Sequence, residues 1–300
     1  MTVIECINLR KSFKKTQALD DFSVLIEENK ITGLIGRNGA GKTTLLKIIA
    51  GYLKPTSGEV KIFGQNPFNS LHVAANLIFV DEQMSFPESW TLEEILDSLG
   101  LFYPHWNKEL AFRLLAYFSL NPKQTHSRLS KGMRSTFNVI IGLAARCPLT
   151  IFDEPTTGMD AAVRKDFYRA LLKDYVAHPR TILLSSHLLS EIENILEDIL
   201  LIKDGRKCLH LPVTELKYYA LGLRGKTAAL NQFLTGKEEF YREDFAPEQS
   251  FVVTKNDFSE AELRELKKAG ISTSAVPTED VCVYLTAQSK GGINDVFNRD

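Results

Sequence analysis

The sequence predicts an α/β fold, a sheet with parallel members interleaved with helices, carrying an inserted helical subdomain and a small C-terminal α+β domain. Three observations carry this. Short apolar runs rich in Ile, Val and Leu alternate with helical stretches through the first two thirds of the chain. Between Leu92 and Ala145 that alternation gives way to continuous helical periodicity. Beyond Pro212 the order changes again, to short strands around one helix. The expected division is therefore residues 1–212, with the helical subdomain at about 84–146, and residues 213–300.

Along the chain, Val3 to Leu9 alternates apolar and polar residues, Phe22 to Ile26 is a second short run and Ile31 to Ile35 a third. The third enters a glycine-rich turn, after which TTLLKIIA (Thr43 to Ala50) has helical character. Gly51, Pro55 and Gly58 punctuate the next segment, and Val60–Phe63 and Leu77–Val80 are further strands. The helical stretch comprises LEEILDSLGLF, ELAFRLLAYFSL and a helix beginning near Ser130. Leu149–Phe152, Thr181–Leu184 and Ile199–Ile202 restore strand character, with helices between them. In the last part, Phe251–Thr254 and Val281–Leu285 read as strands and Ser259–Lys268 as a helix.

Composition bounds the function classes. The chain has 300 residues, 44% hydrophobic and 24% charged, an ordinary balance for a globular protein with a sizeable core. Lys plus Arg is 36 against Asp plus Glu 37, so the broad positive excess of a nucleic-acid binder is missing and no nucleic-acid partner is expected. The four cysteines, Cys6, Cys147, Cys208 and Cys282, have no metal-ligand spacing and are read as reduced apolar residues. The N-terminus lacks the apolar core of a signal peptide. No run approaches the ~18 apolar residues that span a bilayer.

Residues Gly36-Arg37-Asn38-Gly39-Ala40-Gly41-Lys42-Thr43 match G-x-x-x-x-G-K-[ST] between a strand and a helix. Glycines let successive backbone N–H groups turn inward onto phosphate oxygens, and the helix N-terminus points its partial positive charge at the same anion. Lys42 is the expected contact of the β- and γ-phosphates, Thr43 the expected Mg²⁺ ligand, and Thr44 continues the loop. The buried run Leu149–Phe152 delivers Asp153 and Glu154 at its carboxyl end, where parallel sheets place ligands. Asp153 suits a magnesium ion and Glu154 suits polarising an attacking water; the competing reading is an ordinary acidic pair capping a strand. His187, just past TILLSS, is expected at the same edge, donating to the γ-phosphate or holding the water. A lone histidine is more often structural.

These pieces in this order resemble the ATP-binding subunit of an ABC transporter, a P-loop NTPase of the ABC type with a mixed sheet. LSKGM (Leu129 to Met133) resembles that family's signature, TGMD (Thr157 to Asp160) its D-loop with Asp160 as the acid, and Ser186-His187 its switch histidine. Phe13 falls where the family places an aromatic that stacks on adenine. The resemblance covers roughly residues 1–210. It implies ATP and Mg²⁺ as cofactors, Glu154, His187 and Lys42 as catalytic residues, a separate transmembrane permease as partner, and a site on the inner face of the cell membrane. It further implies a second ATP-binding subunit, identical or related, docked head to tail so that Ser130, Lys131 and Gly132 of one copy close over the ATP of the other. A hydroxyl, N–H groups and a helix N-terminus make that second anion cradle physically sensible.

The chain departs from the family pattern in places. Lys131 replaces the signature's first glycine and Met133 its glutamine; Lys131 either adds charge near the phosphates or points to solvent, and solvent is the preferred reading. The loop after Val80 reads Asp81-Glu82-Gln83, so strand alignment puts Glu82 in the Q-loop position while metal chemistry prefers Gln83. FYPHWNKELAFRLLAYFSL together with LSKGM resembles a bacterial branch exporting antibiotics or amphipathic peptides. Its aromatics Phe102, Tyr103, Trp106, Phe112 and Phe118 are read mainly as subdomain core, a minority lining a groove for a permease helix. The competing function class is an ABC-type ATPase uncoupled from transport, working in cofactor assembly, repair or translation. Residues 213–300 carry no catalytic motif and are expected to regulate, dimerise or stabilise.

Overall fold

A computed structural model describes residues 1–287. The chain divides into two compact units, Met1–His210 and a second beginning at Leu211. In the first, the strands are β1 (Thr2–Phe13), β2 (Thr16–Glu27), β3 (Ile31–Ile35), β4 (Ser57–Ile62), β5 (Leu77–Val80), β6 (Leu149–Asp153), β7 (Thr181–Ser186), β8 (Asp198–Lys203) and β9 (Arg206–Pro212), the last running into the second unit. The helices are α1 (Lys42–Ile49), α2 (Leu71–Asn76), α3 (Leu92–Leu99), α4 (Lys108–Tyr117), α5 (Lys131–Ala145) and α6 (Ala161–Ala177).

Two sheets share one core. Strands β5, β6, β7, β3, β8 and β9 lie side by side in that order, and the pairs from β5 through to β8 are parallel. Strands β2, β1 and β4 form a separate antiparallel sheet. Helix α1 buries Leu45, Leu46, Ile48 and Ile49 in a cluster that also holds Ile4, Phe22 and Ile62 from the antiparallel sheet and Leu34, Ile151 and Leu200 from the parallel one. Burial of α1 against both sheets fixes the loop preceding it, and that loop is the functional feature. Side chains fully buried on both faces explain why β3, β6 and β7 read as continuous apolar runs rather than alternating ones.

Between β5 and β6 lie α3, α4 and α5. Helix α3 starts in a capping box, Thr91 Oγ1 accepting from Glu94 N while Glu94 Oε2 accepts from Thr91 N. Every residue of α5 from Ser135 to Ala145 is buried. The expected aromatic core of this subdomain needs correction: Phe102 is exposed, and Tyr103, Trp106, Phe112 and Phe118 are only half-buried. Leu92, Ile95, Leu96, Ala111, Leu115 and Phe137 fill the interior instead. They recur at the three- and four-residue spacing that places them on inward helix faces.

The second unit contains α7 (Val213–Leu216), β10 (Ala220–Lys226), α8 (Thr227–Phe233), β11 (Glu239–Ala246), β12 (Gln249–Lys255), α9 (Glu260–Lys268), β13 (Ser272–Ala275) and α10 (Thr278–Thr286). Its sheet is antiparallel with the order β11-β12-β10-β13, a split βαβ arrangement. Leu223, Leu230, Val252, Leu266 and Ile271 form its core. Here too one expectation fails: Val281–Leu285 is helix α10, not a strand. Pro277 precedes a first turn carrying Glu279 and Asp280, a favourable helix start. Val281, Cys282 and Thr286 are buried while Val283 is 55% exposed, a pattern incompatible with strand alternation.

Candidate functional site

Sheet register brings the motifs together. Ile35 pairs with Ser186 and Asp153 with Ser185, so the loop after β3, the acidic pair at the end of β6 and His187 after β7 share the same carboxyl edge. The loop is built around Gly41, whose φ of +107° is readily taken only by glycine and where a Cβ would lie 2.5 Å from the Ala18 carbonyl oxygen. Gly36, Arg37, Asn38, Gly39 and Ala40 lead into it, and Ala40 N–H donates back to Arg37 O. A cavity of about 230 Å³ is lined by Arg37, Asn38, Gly39, Gly41, Lys42, Thr43, Thr44 and Glu154, together with Thr16, Gln17 and Ala18 of β2.

Lys42 is buried, its Nζ donating to Gly36 O at 2.7 Å and standing 3.3 Å from Glu154 Oε1. Glu154 Oε2 lies 2.7 Å from Nδ1 of His187, itself half-exposed. Glu154 Oε1 is buried, and its charge is met by the Lys42 ammonium 3.3 Å away. Its backbone sits at φ +47°, a conformation rarely taken by a residue with a side chain. Three contacts hold it: Glu154 N–H donates to Ser185 Oγ, while Thr157 N–H and Oγ1 donate to Glu154 O. Ser185 Oγ in turn donates to Asp153 Oδ1 at 2.6 Å. Ser185 and Thr157 thus organise both carboxylates. Sequence reasoning missed both roles, since the only signal was a small polar residue ending an apolar run.

Other expected residues lie elsewhere. Ser130 caps α5, its Oγ accepting from Met133 N. Gly132 faces the turn after β6, because a Cβ there would meet Gly158 O at 2.4 Å. Ser135 Oγ donates to Thr157 O across the same junction. Asp160 caps α6, accepting from the N–H groups of Ala162 and Val163. The signature segment is therefore seated on the 157–160 turn, and Ser130, Lys131 and Gly132 do not line the Lys42 cavity. Lys131 is half-exposed and pairs at 2.9 Å with the equally exposed Glu82, so its ammonium lies at the solvent surface in an ion pair.

Gln83 accepts from Lys47 Nζ at 2.9 Å, and no described contact joins Glu82 or Gln83 to Thr43 or Asp153. Burial pushes the Asp81 carboxyl up from its ordinary range, the Asp153 charge adds to this, and Lys47 opposes it. Phe13 is half-exposed with Lys11 Nζ 5.1 Å from its ring. It sits opposite Thr16 in the hairpin that brings Thr16 and Gln17 to the cavity, without lining the cavity itself.

The family model described as ABC transporter matches residues 19–157. The ABC transporter ATP-binding protein YtrB of Bacillus subtilis is 31% identical over 215 residues, 72% of this chain and 74% of that protein. The bacitracin transport ATP-binding protein BcrA of Bacillus licheniformis is 30% identical over 72% of each chain. Among solved structures, the ATP-binding subunit of an ABC transporter superposes with a TM-score of 0.64 at 25% identity, covering 72% of this chain and 92% of that one.

Proposed function

The chain belongs to the ABC transporter ATP-binding proteins, a family of ATPases, and on that premise we propose that it powers a separate membrane-spanning permease that exports peptides or antibiotics. Among the described residues no helix is long and apolar enough to cross a membrane, so in this reading the path across the bilayer belongs to another polypeptide at whose inner face the chain works. Likeness to a bacitracin transport protein supports an antibiotic as the cargo.

The observation that carries the ATPase chemistry is the Lys42–Glu154–His187 cluster beside a glycine loop that lines the same cavity. Lys42 neutralises charge on the β- and γ-phosphates, Glu154 takes the proton of the attacking water, and His187, donating through Nδ1, holds the Glu154 carboxylate in place. Asp153 and the Thr43 hydroxyl supply hard oxygen donors. Magnesium commonly sits on one or two carboxylates plus phosphate oxygens, so this donor set fits it better than a metal needing a full protein cage. When bound, magnesium shields charge between the phosphates. Gln83 is assigned as a further ligand only after a change of its Lys47 contact.

A second ATP-binding subunit completes the site. Ser130, Lys131 and Gly132 of the partner copy form a helix-tip cradle for the outer face of the triphosphate, so the tail holds two subunits together and hydrolysis releases them. Purification from native membranes in mild detergent tests the coupling: a polytopic membrane protein should accompany the chain, and recovery of a solely cytosolic complex would refute it.

A further inference from the structure

A cavity lies at the edge of the parallel sheet opposite Lys42, beside the starts of β3, β6 and β7. Its volume of about 560 Å³ falls in the range of small-molecule sites. Arg146, Arg180, His105 and His178 line it. Arg146 ends α5 in a left-handed conformation (φ +47°) that turns the chain at the cavity wall. Its Nε and Nη2 donate to Asp174 Oδ1, at 3.2 and 2.7 Å. Arg180 Nη1 stands 2.8 Å from Asp174 Oδ2 and donates to His178 O. One carboxylate therefore serves two guanidinium groups. The acid on the cavity wall, Glu28, faces the Met1 amino group.

Arg180 is only 4% exposed, and its Nε and Nη2 have no hydrogen-bond partner among the described residues. Burial disfavours its charged form and Asp174 counteracts that. A shielded guanidinium with two unmet donors is costly unless an acceptor reaches it, and because both atoms are shielded in this structure an anion in the cavity reaches them through a local side-chain shift. Planar, forked donors suit a carboxylate or phosphate above other acceptors. Val3, Phe63, Pro148 and Pro179 form an apolar part of the wall, beside the polar Asn29 and Thr181.

We propose that this cavity binds a small oxyanion, a carboxylate or phosphate group seated between Arg146 and Arg180, with any attached apolar body lying against Phe63 and the two prolines. The site is separate from the nucleotide cavity and its existence does not depend on the transporter reading.

Calorimetry of inorganic phosphate and of phenyl phosphate against the full chain, held saturated with a non-hydrolysable ATP analogue to block the Lys42 cavity, tests this. Saturable one-to-one binding is expected, weakened at least tenfold by Arg146→Gln. Tighter binding of phenyl phosphate identifies an organic anion as the occupant, and equal binding identifies free phosphate. No binding of either probe, or binding indifferent to Arg146→Gln, overturns the proposal. Should that variant fail to fold, imidazole NMR signals of His105 and His178 in the unaltered protein provide the readout. Both should move on phosphate addition, and signals that stay fixed refute the site.

Discussion

Glu154→Gln separates hydrolysis from binding most sharply. Gln keeps the shape and removes both the negative charge and the basicity of a side chain placed 2.7 Å from His187 Nδ1 and 3.3 Å from Lys42 Nζ. Loss of a positioned general base costs about 10²–10⁴ in rate, equivalent to about 2.7–5.4 kcal/mol of barrier. The loop backbone and Lys42, which would hold the triphosphate, are untouched, and removing a carboxylate beside Lys42 takes one anion away from the bound phosphates. ATP affinity should therefore hold or rise while turnover falls at least a hundredfold. Phosphate release under saturating ATP, alongside the ATP-dependent shift in melting temperature and the ATP-dependent fraction of dimer, measures all three. Wild-type turnover in the variant would remove Glu154 from the role of base. Equal loss of turnover and of ATP binding would instead mean that Glu154 serves the architecture of the loop.

Lys42→Ala should abolish most nucleotide-dependent stabilisation, which for an intact site is about 2.7 kcal/mol at a ligand concentration a hundredfold above Kd; an unaltered thermal shift would contradict the phosphate contact. Gly132→Ala forces a Cβ to within 2.4 Å of Gly158 O, and overpacking of this kind costs about 1–3 kcal/mol. The expected fall in melting temperature is about 2–4 °C per kcal/mol for a unit of this size, together with weaker ATP-driven association; neither effect should appear if the helix start is free to shift. His126 is buried against Phe86 and Phe137 with Nε2 on Asn138 Oδ1, and desolvation pushes its pKa below the ordinary histidine value. Its unfolded form therefore binds a proton first, so stability present at neutral pH declines as pH falls below about 6.5. Melting curves between pH 7.5 and 5.5 should fall less steeply for His126→Gln, and parallel curves would show that another group carries the acid sensitivity.

Much of the site was legible because its chemistry is local in sequence. A phosphate-binding loop needs glycine at a position such as Gly41 and a helix directly after it, and both conditions are met within eight consecutive residues. The apolar runs before Asp153 and His187 marked buried strands, and parallel pairing then put their carboxyl ends at one edge. The strand assigned at Val281–Leu285 failed because five apolar residues in a row fit either period; the proline and acidic first turn before them decide for helix. The aromatics of the helical subdomain failed as core because residue type says little about which helix face a side chain occupies.

Residue order alone established the elements and the chemistry they carry: a glycine loop suited to a polyanion, an acidic pair at a strand end, and a histidine beyond another. What each group touches was settled by three-dimensional packing. It put Ser185 between Asp153 and the Glu154 N–H, seated Gly132 on the Gly158 carbonyl, paired Lys131 with Glu82, and gathered Arg146 and Arg180 around one aspartate. These contacts join residues far apart in the chain. Their partners are chosen by strand register and helix packing, which summed burial over the whole core sets and no short stretch of sequence encodes.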